Sequence, residues 1–229
     1  FDRHSYQKAS LVLHMLRGVM GEEKFRDGIR AYVAKHKHGN VTSEDFRKAM
    51  ESVHGADLQW FFDPWVYGAG YPEYAVAFDW SEARKEGTLR VRQVQPESAW
   101  CGLFKMPVEL AFWFAADGQH RRQVERVWVE AREQSFVYAL PQRPAWVRFD
   151  AGEKVLKRLD FPRSQEELAL QLQHDDVSGR LEAAEELGRL GPAAVGPRRE
   201  ARRREPMAGV RETLVDALAR IESDGSCDA

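Results

Sequence analysis

From Tyr6 to about Trp65 the apolar residues return every three or four positions, the period of helices with one buried face. Leu11/Val12, Met15/Leu16 and Val19/Met20 form one stripe that stops at Gly21, and Phe25, Ile29 and Val33 form a second that ends near His38-Gly39-Asn40. Thr42 or Ser43 is placed to cap a third helix, with Asp45 as its capping-box acid and Phe46, Met50 and Val53 as its buried face up to Gly55. Asp57 is placed to cap a fourth, built on Leu58, Phe61, Phe62 and Trp65. Pro64, lacking an N–H, should distort its last turn.

Beyond Gly68-Ala69-Gly70-Tyr71-Pro72 the period changes to two, as it does when one strand face is buried and the other wet. Tyr74 to Trp80, Leu89 with Val91, Val108 to Phe114, Phe136 to Leu140 and Val147 with Phe149 alternate in this way. Turn signals stand between them at Lys85-Glu86-Gly87, Asp117-Gly118 and Asp150-Ala151-Gly152. Short strands at this spacing predict a β-sandwich of about seven strands.

After Phe161-Pro162 the chain returns to helical sequence rich in Ala, Leu, Glu and Arg. Arg180, Ala183, Ala184, Leu187 and Leu190 reappear, 31 positions on, as Arg211, Leu214, Val215, Leu218 and Ile221. That offset lies near the periods of helical solenoids and resembles HEAT-like repeats, with a plain helical hairpin as the alternative.

Composition narrows the function classes. With 34 basic and 36 acidic residues the net charge is -2, so no global field attracts nucleic acid or an anionic membrane. No apolar run reaches the ~20 residues that span a bilayer. The two cysteines, Cys101 and Cys227, lie in regions of opposite character and form neither a disulfide framework nor a CxxC pair. A chain that opens on Phe1, with helical periodicity almost at once and no signal peptide, predicts an internal piece of a longer cytoplasmic protein.

The sequence carries few marks of chemistry. A zinc peptidase needs a metal held by protein ligands, and two His four apart on a helix with a Glu between them is the compact supply. That motif is absent. His36 and His38, two apart, point about 200° apart on a helix, and the other five histidines are scattered, so all seven read as surface or capping residues. There is no Gly-x-Ser-x-Gly elbow, no Walker A and no GxGxxG. The basic run from Pro197 to Arg204 reads as a solvated helix face or linker.

One stretch carries more. Ser5-Tyr6-Gln7-Lys8-Ala9-Ser10, Val12-Leu13-His14-Met15-Leu16, Gly21-Glu22-Glu23-Lys24-Phe25 with Tyr32, Thr42-Ser43-Glu44-Asp45-Phe46, Ala49-Met50-Glu51, Leu58-Gln59-Trp60-Phe61-Phe62 and Gly70-Tyr71-Pro72 follow one another in a particular order. In that order they resemble the M1 (gluzincin) aminopeptidase catalytic domain downstream of its zinc motif. The resemblance implies the C-terminal helices of a thermolysin-like catalytic domain over 1–72, a β-sandwich over 73–161 and a partial HEAT-like segment over 162–229.

It also implies a role for Tyr6. The family's tyrosine in its Tyr-x-Lys-Gly element donates its O–H to the oxyanion formed when zinc-activated water attacks the scissile carbonyl, and Tyr6 is the matching position. A phenol suits the task because it is a donor that keeps its proton at neutral pH. Ala9 stands where the family has Gly, a mild departure that favours helix. Lys8 reads as structural, because on an α-helix it leaves about 200° from Tyr6.

The zinc histidines, the catalytic Glu, the third zinc ligand and the strand that holds the peptide's amino terminus are all missing. The resemblance therefore implies zinc and peptide substrates for the intact parent protein, none bound by this chain alone, and no hydrolysis by it. Two rivals stand beside this reading. One is a non-catalytic M1-like scaffold using its sandwich and HEAT-like surfaces. The other, an independent module, is disfavoured because the first helices should expose apolar surface without their upstream partners.

Overall fold

The computed structural model describes residues 4–116, 119–190 and 205–225. A π-helical turn, His4–Lys8, runs into α1 (Ala9–Met20), followed by α2 (Glu22–His36), α3 (Ser43–His54) and the short α4 (Gln59–Phe62). Val12, Met15, Leu16 and Met20 form the buried face of α1, while Leu11 is 42% exposed. The second stripe is shallower than its periodicity suggests: Phe25 and Ile29 are half-buried and Val33 is exposed. The element packs against α3 at Gly28, where an added Cβ would lie 2.7 Å from Met50 Sδ.

Thr42 is the cap of α3. Its hydroxyl accepts from Asp45 N and the Asp45 carboxylate accepts from Thr42 N, a complete capping box, and Gly55 ends the helix at φ 81°. Asp57 does not cap α4. That position falls to Leu58, whose N–H donates to Glu51 Oε1, while the Asp57 carbonyl accepts from Trp60 Nε1. After four residues α4 widens into a second π-helical turn, Asp63–Tyr67, with Pro64 at its start, which is the distortion a missing N–H produces.

Among the described residues the region that follows contains seven strands and no helix: β1 (Glu73–Ser81), β2 (Glu86–Gln93), β3 (Met106–Ala116), β4 (Gln119–Val129), β5 (Glu133–Ala139), β6 (Trp146–Phe149) and β7 (Arg158–Asp160). They form a four-stranded sheet, β5-β2-β1-β7, and a three-stranded sheet, β4-β3-β6. All neighbours are antiparallel except β1 and β7, which pair Tyr74 with Leu159 in parallel. The sheets face each other through rings: Phe78 and Tyr138 meet Phe112 at 6.0 and 5.1 Å, and Tyr74 meets Phe149 at 5.2 Å.

The parallel return of β7 depends on Asp150. Its backbone is left-handed at φ 61°, and its buried carboxylate accepts from Lys154 N, Val155 N and Lys157 Nζ, so the chain after β6 is folded back upon one acid. Buried Gln93 is equally committed, donating to Phe104 O and accepting from Phe104 N. One apolar cluster runs without a break from Val12 and Leu16 of α1 through Phe61 and Trp65 to Leu110, Phe112 and Phe149 of the sheets.

Three helices complete the described chain: α5 (Gln165–His174), α6 (Val177–Arg189) and α7 (Ala208–Gly225). Ser164 caps α5 in a capping box with Glu167, and Asp176 caps α6. Leu168, Leu172, Ala183, Ala184, Leu187, Val210 and Leu214 make a second, separate core. The Asp117-Gly118 turn, the basic run 197–204 and Cys227 lie outside the described residues. No helix among the described residues is long and apolar enough to cross a membrane.

Candidate functional site

Tyr6 lies in the π-helical turn at the head of α1 and is 67% exposed, so its phenol faces outward rather than into the core below. The backbone around it follows the wider i→i+5 spacing, so angular reckoning on an α-helix does not carry over to Tyr6 and Lys8. Single π-helical turns recur at functional sites because they re-aim a side chain without ending the helix. Ala9, the first residue of α1, is exposed.

Behind this turn a groove of about 480 Å³ runs between α1, α3 and α4. Lys8, Ala9, Val12, Leu16, Phe46 and Trp65 are among the residues that line it. Val33, Val41 and Val66 are also exposed in this helical region, at 54%, 43% and 36%. The helices thus present the apolar surface that the sequence leads one to expect.

The histidines are placed as follows. His36 ends α2 against the Tyr32 ring at 5.4 Å, and His38 lies beyond the helix in a left-handed conformation at φ 67°. His54 closes α3, and burial, followed by the charge of Lys24, holds its imidazole below the usual range. His120 of β4 and His174 at the end of α5, which the sequence scatters, come together with ring centroids 4.2 Å apart. Burial, then His120, lowers the His174 pKa. Among the described residues no three of His, Cys, Asp and Glu stand where they could hold a metal ion, so the residues present do not fit a catalytic zinc.

Sequence reasoning missed one cluster altogether. Arg148 of β6, 1% exposed, places Nη1 3.4 Å from Asp175 and 3.1 Å from Asp176, with Nε 3.2 Å from Glu182. The Asp175 side chain is fully buried, which raises its pKa against the lowering by Arg148. Alternation assigns Arg148 to the wet face of its strand, and the cover supplied by α5 and α6 is what buries it.

Residues 1–65 match the Peptidase family M1 domain. Aminopeptidase M1-A of Oryza sativa subsp. japonica is 26% identical over 198 residues, which is 83% of this chain and 21% of that protein. Aminopeptidase N of Lactococcus lactis subsp. lactis is 39% identical over 67 residues, 29% of this chain and 8% of that protein. Tricorn protease-interacting factor F2 of Thermoplasma volcanium is 34% identical over 84 residues, 37% of this chain and 11% of that protein.

Among solved structures, Legionella pneumophila aminopeptidase A in complex with aspartic acid superimposes with a TM-score of 0.71 at 19% identity. The match covers 95% of this chain and 24% of that one. The fold, helices with two sheets, is therefore similar to that of about a quarter of that structure. The similarity to peptidase family M1 is carried by the first 65 residues. It spans about a fifth or less of the length of those curated relatives.

Proposed function

We propose that this chain is part of a zinc aminopeptidase that removes N-terminal residues from peptides, and that Tyr6 supplies the O–H that stabilises the oxyanion of the tetrahedral intermediate. The observation that carries this reading is the family match over residues 1–65, which includes Tyr6, together with the outward, π-helical setting of that side chain. Zinc and the group that activates water belong to other parts of the parent, and the chain alone hydrolyses nothing. The apolar groove behind Tyr6 supports the assignment of residues 1–72 to a larger catalytic domain, whose remainder would cover it.

Residues 73–161 are then a β-sandwich domain and residues 162–229 a partial HEAT-like domain. The repeat reading gains support from equivalent contacts: Arg180 Nη1 donates to Asp175 O at 2.9 Å and Arg211 Nη1 to Pro206 O at 2.8 Å, each five residues back. Ala183 and Leu214, which the offset superimposes, are both fully buried. Half-buried Cys101, a free thiol, fits the reducing cytoplasm.

The test is Tyr6→Phe in the full-length parent. It removes the O–H and keeps the ring, and should lower kcat by about 100-fold or more with little change in KM or stability. A fall in melting temperature with kcat spared would make Tyr6 a packing residue. That outcome would favour the second reading, a non-catalytic scaffold. One relative carries a name that describes it as a protease-interacting factor, which keeps this reading in play.

A further inference from the structure

The C-terminal helices carry their own apolar core, separate from the one that unites α1–α4 with the sheets. What joins the two bodies is polar. Arg148 projects from β6 into the first turn of α6, where Nη2 donates to Ser178 Oγ at 3.2 Å beside the three carboxylates already described. Trp146, also on β6, donates Nε1 to Asp175 Oδ2 at 3.3 Å while its ring stacks on Trp113 of its own sheet. Arg163 donates to Gln171 Oε1 at 2.9 Å and pairs with Glu182 at 3.0 Å.

Such a junction has particular energetics. Removing charges from water costs several kcal/mol per ion, and their mutual attraction repays this only when the geometry is complete. The assembled network therefore adds little net binding but fixes one orientation, and loss of a single member leaves a buried charge unpaired. Undocking returns Arg148, Asp175 and Glu182 to water together, and uncovers the Trp146 ring rather than either apolar cluster. Polar junctions between separately cored bodies are also where relative motion is expected.

We propose that α5–α7 form a detachable body and that the Arg148 network is its latch, releasing as a unit while the sheets and α1–α4 stay folded. This is independent of the peptidase reading. Native-state hydrogen exchange on the full chain tests it, comparing amides of Gln165–Arg189 with those of Met106–Ala116. The wild-type chain should show α5 and α6 opening together, at lower free energy than β3. Arg148→Ala should speed exchange in α5 and α6 by about 100-fold or more and leave β3 unchanged. Should that variant fail to fold, Ser178→Ala removes one contact and should speed the same amides by about 10-fold. Equal acceleration of β3 and α6, or none in α6, overturns the proposal.

Discussion

The two helical regions meet the sheets in opposite ways. On the N-terminal side the junction is built from rings: Trp65 lies 4.7 Å from Phe104 and Trp60 lies 5.5 Å from Trp128, with Lys105 held over both tryptophans. On the C-terminal side it is built around a buried guanidinium and the acids that surround it. Apolar burial is non-directional and gains with every square ångström, so the first junction merges helices and sheets into one core. Ion pairs at depth repay their desolvation only in one geometry, so the second joins two cores without merging them. The first junction should therefore transmit damage in both directions and the second should confine it.

The largest effect should follow from Trp65→Ala. Trp65 is 1% exposed and touches Phe61 as well as Phe104, so its truncation should cost about 3–5 kcal/mol. Urea unfolding followed by exchange in α1 and in β3 should show both regions losing the same stability. A loss confined to the helices would break the comparison. Trp65→Phe sharpens it, because the indole N–H is buried with no hydrogen-bond partner among the described residues, and a ring that lacks it should cost far less.

An intermediate effect is expected from Gly179→Ala. A Cβ there would lie 2.4 Å from Asp175 Cγ and 2.9 Å from Arg148 Nη1, and neither side chain has space to withdraw. Alanine gains about 1 kcal/mol of helix propensity, but overpacking costs about 1–3 kcal/mol, so the sign should be destabilising. The loss should appear in α5 and α6 and spare α1. Equal loss in both regions would mean that the C-terminal junction merges its cores after all.

The same contrast explains what was legible in the sequence. Wherever one face is buried against apolar neighbours the period declares the element, as in α1 and α3, β1, β3 and β5. The strand β4 is hidden because much of its inward-paired face is polar. The positions that pair with Leu110, Phe112 and Phe114 are Glu125, Gln123 and Arg121, so no alternation of hydrophobicity marks it. The three-residue β7 is set by the Asp150 turn, a tertiary device without a local pattern. Of the candidate site, the motif order singled out Tyr6, but its π-helical turn depends on backbone hydrogen bonding that no periodicity reports. Arg148 could not be read at all, since an outward arginine on a strand is the ordinary sign of solvent.

The smallest effect is titration, and it separates the two regions most finely. His54, in the N-terminal helices, and His174, at the C-terminal junction, both have pKa values lowered below 6.5, chiefly by burial. The unfolded chain therefore takes up these protons first. Stability is complete above about pH 7.5 and falls as pH drops through about 6.5 toward the folded values. Asp175 titrates in the opposite sense, because burial raises its carboxyl pKa, so the readout is the difference between wild type and variant rather than the raw slope. Regional exchange at roughly pH 7.5 and 5.5 should show His174→Gln flattening the acid response of α5 and α6 alone, and His54→Gln that of α1 to α3 and, through the shared core, the sheets. If His54→Gln also flattens the response of α6, acid stress crosses the Arg148 junction and the two regions are one cooperative unit.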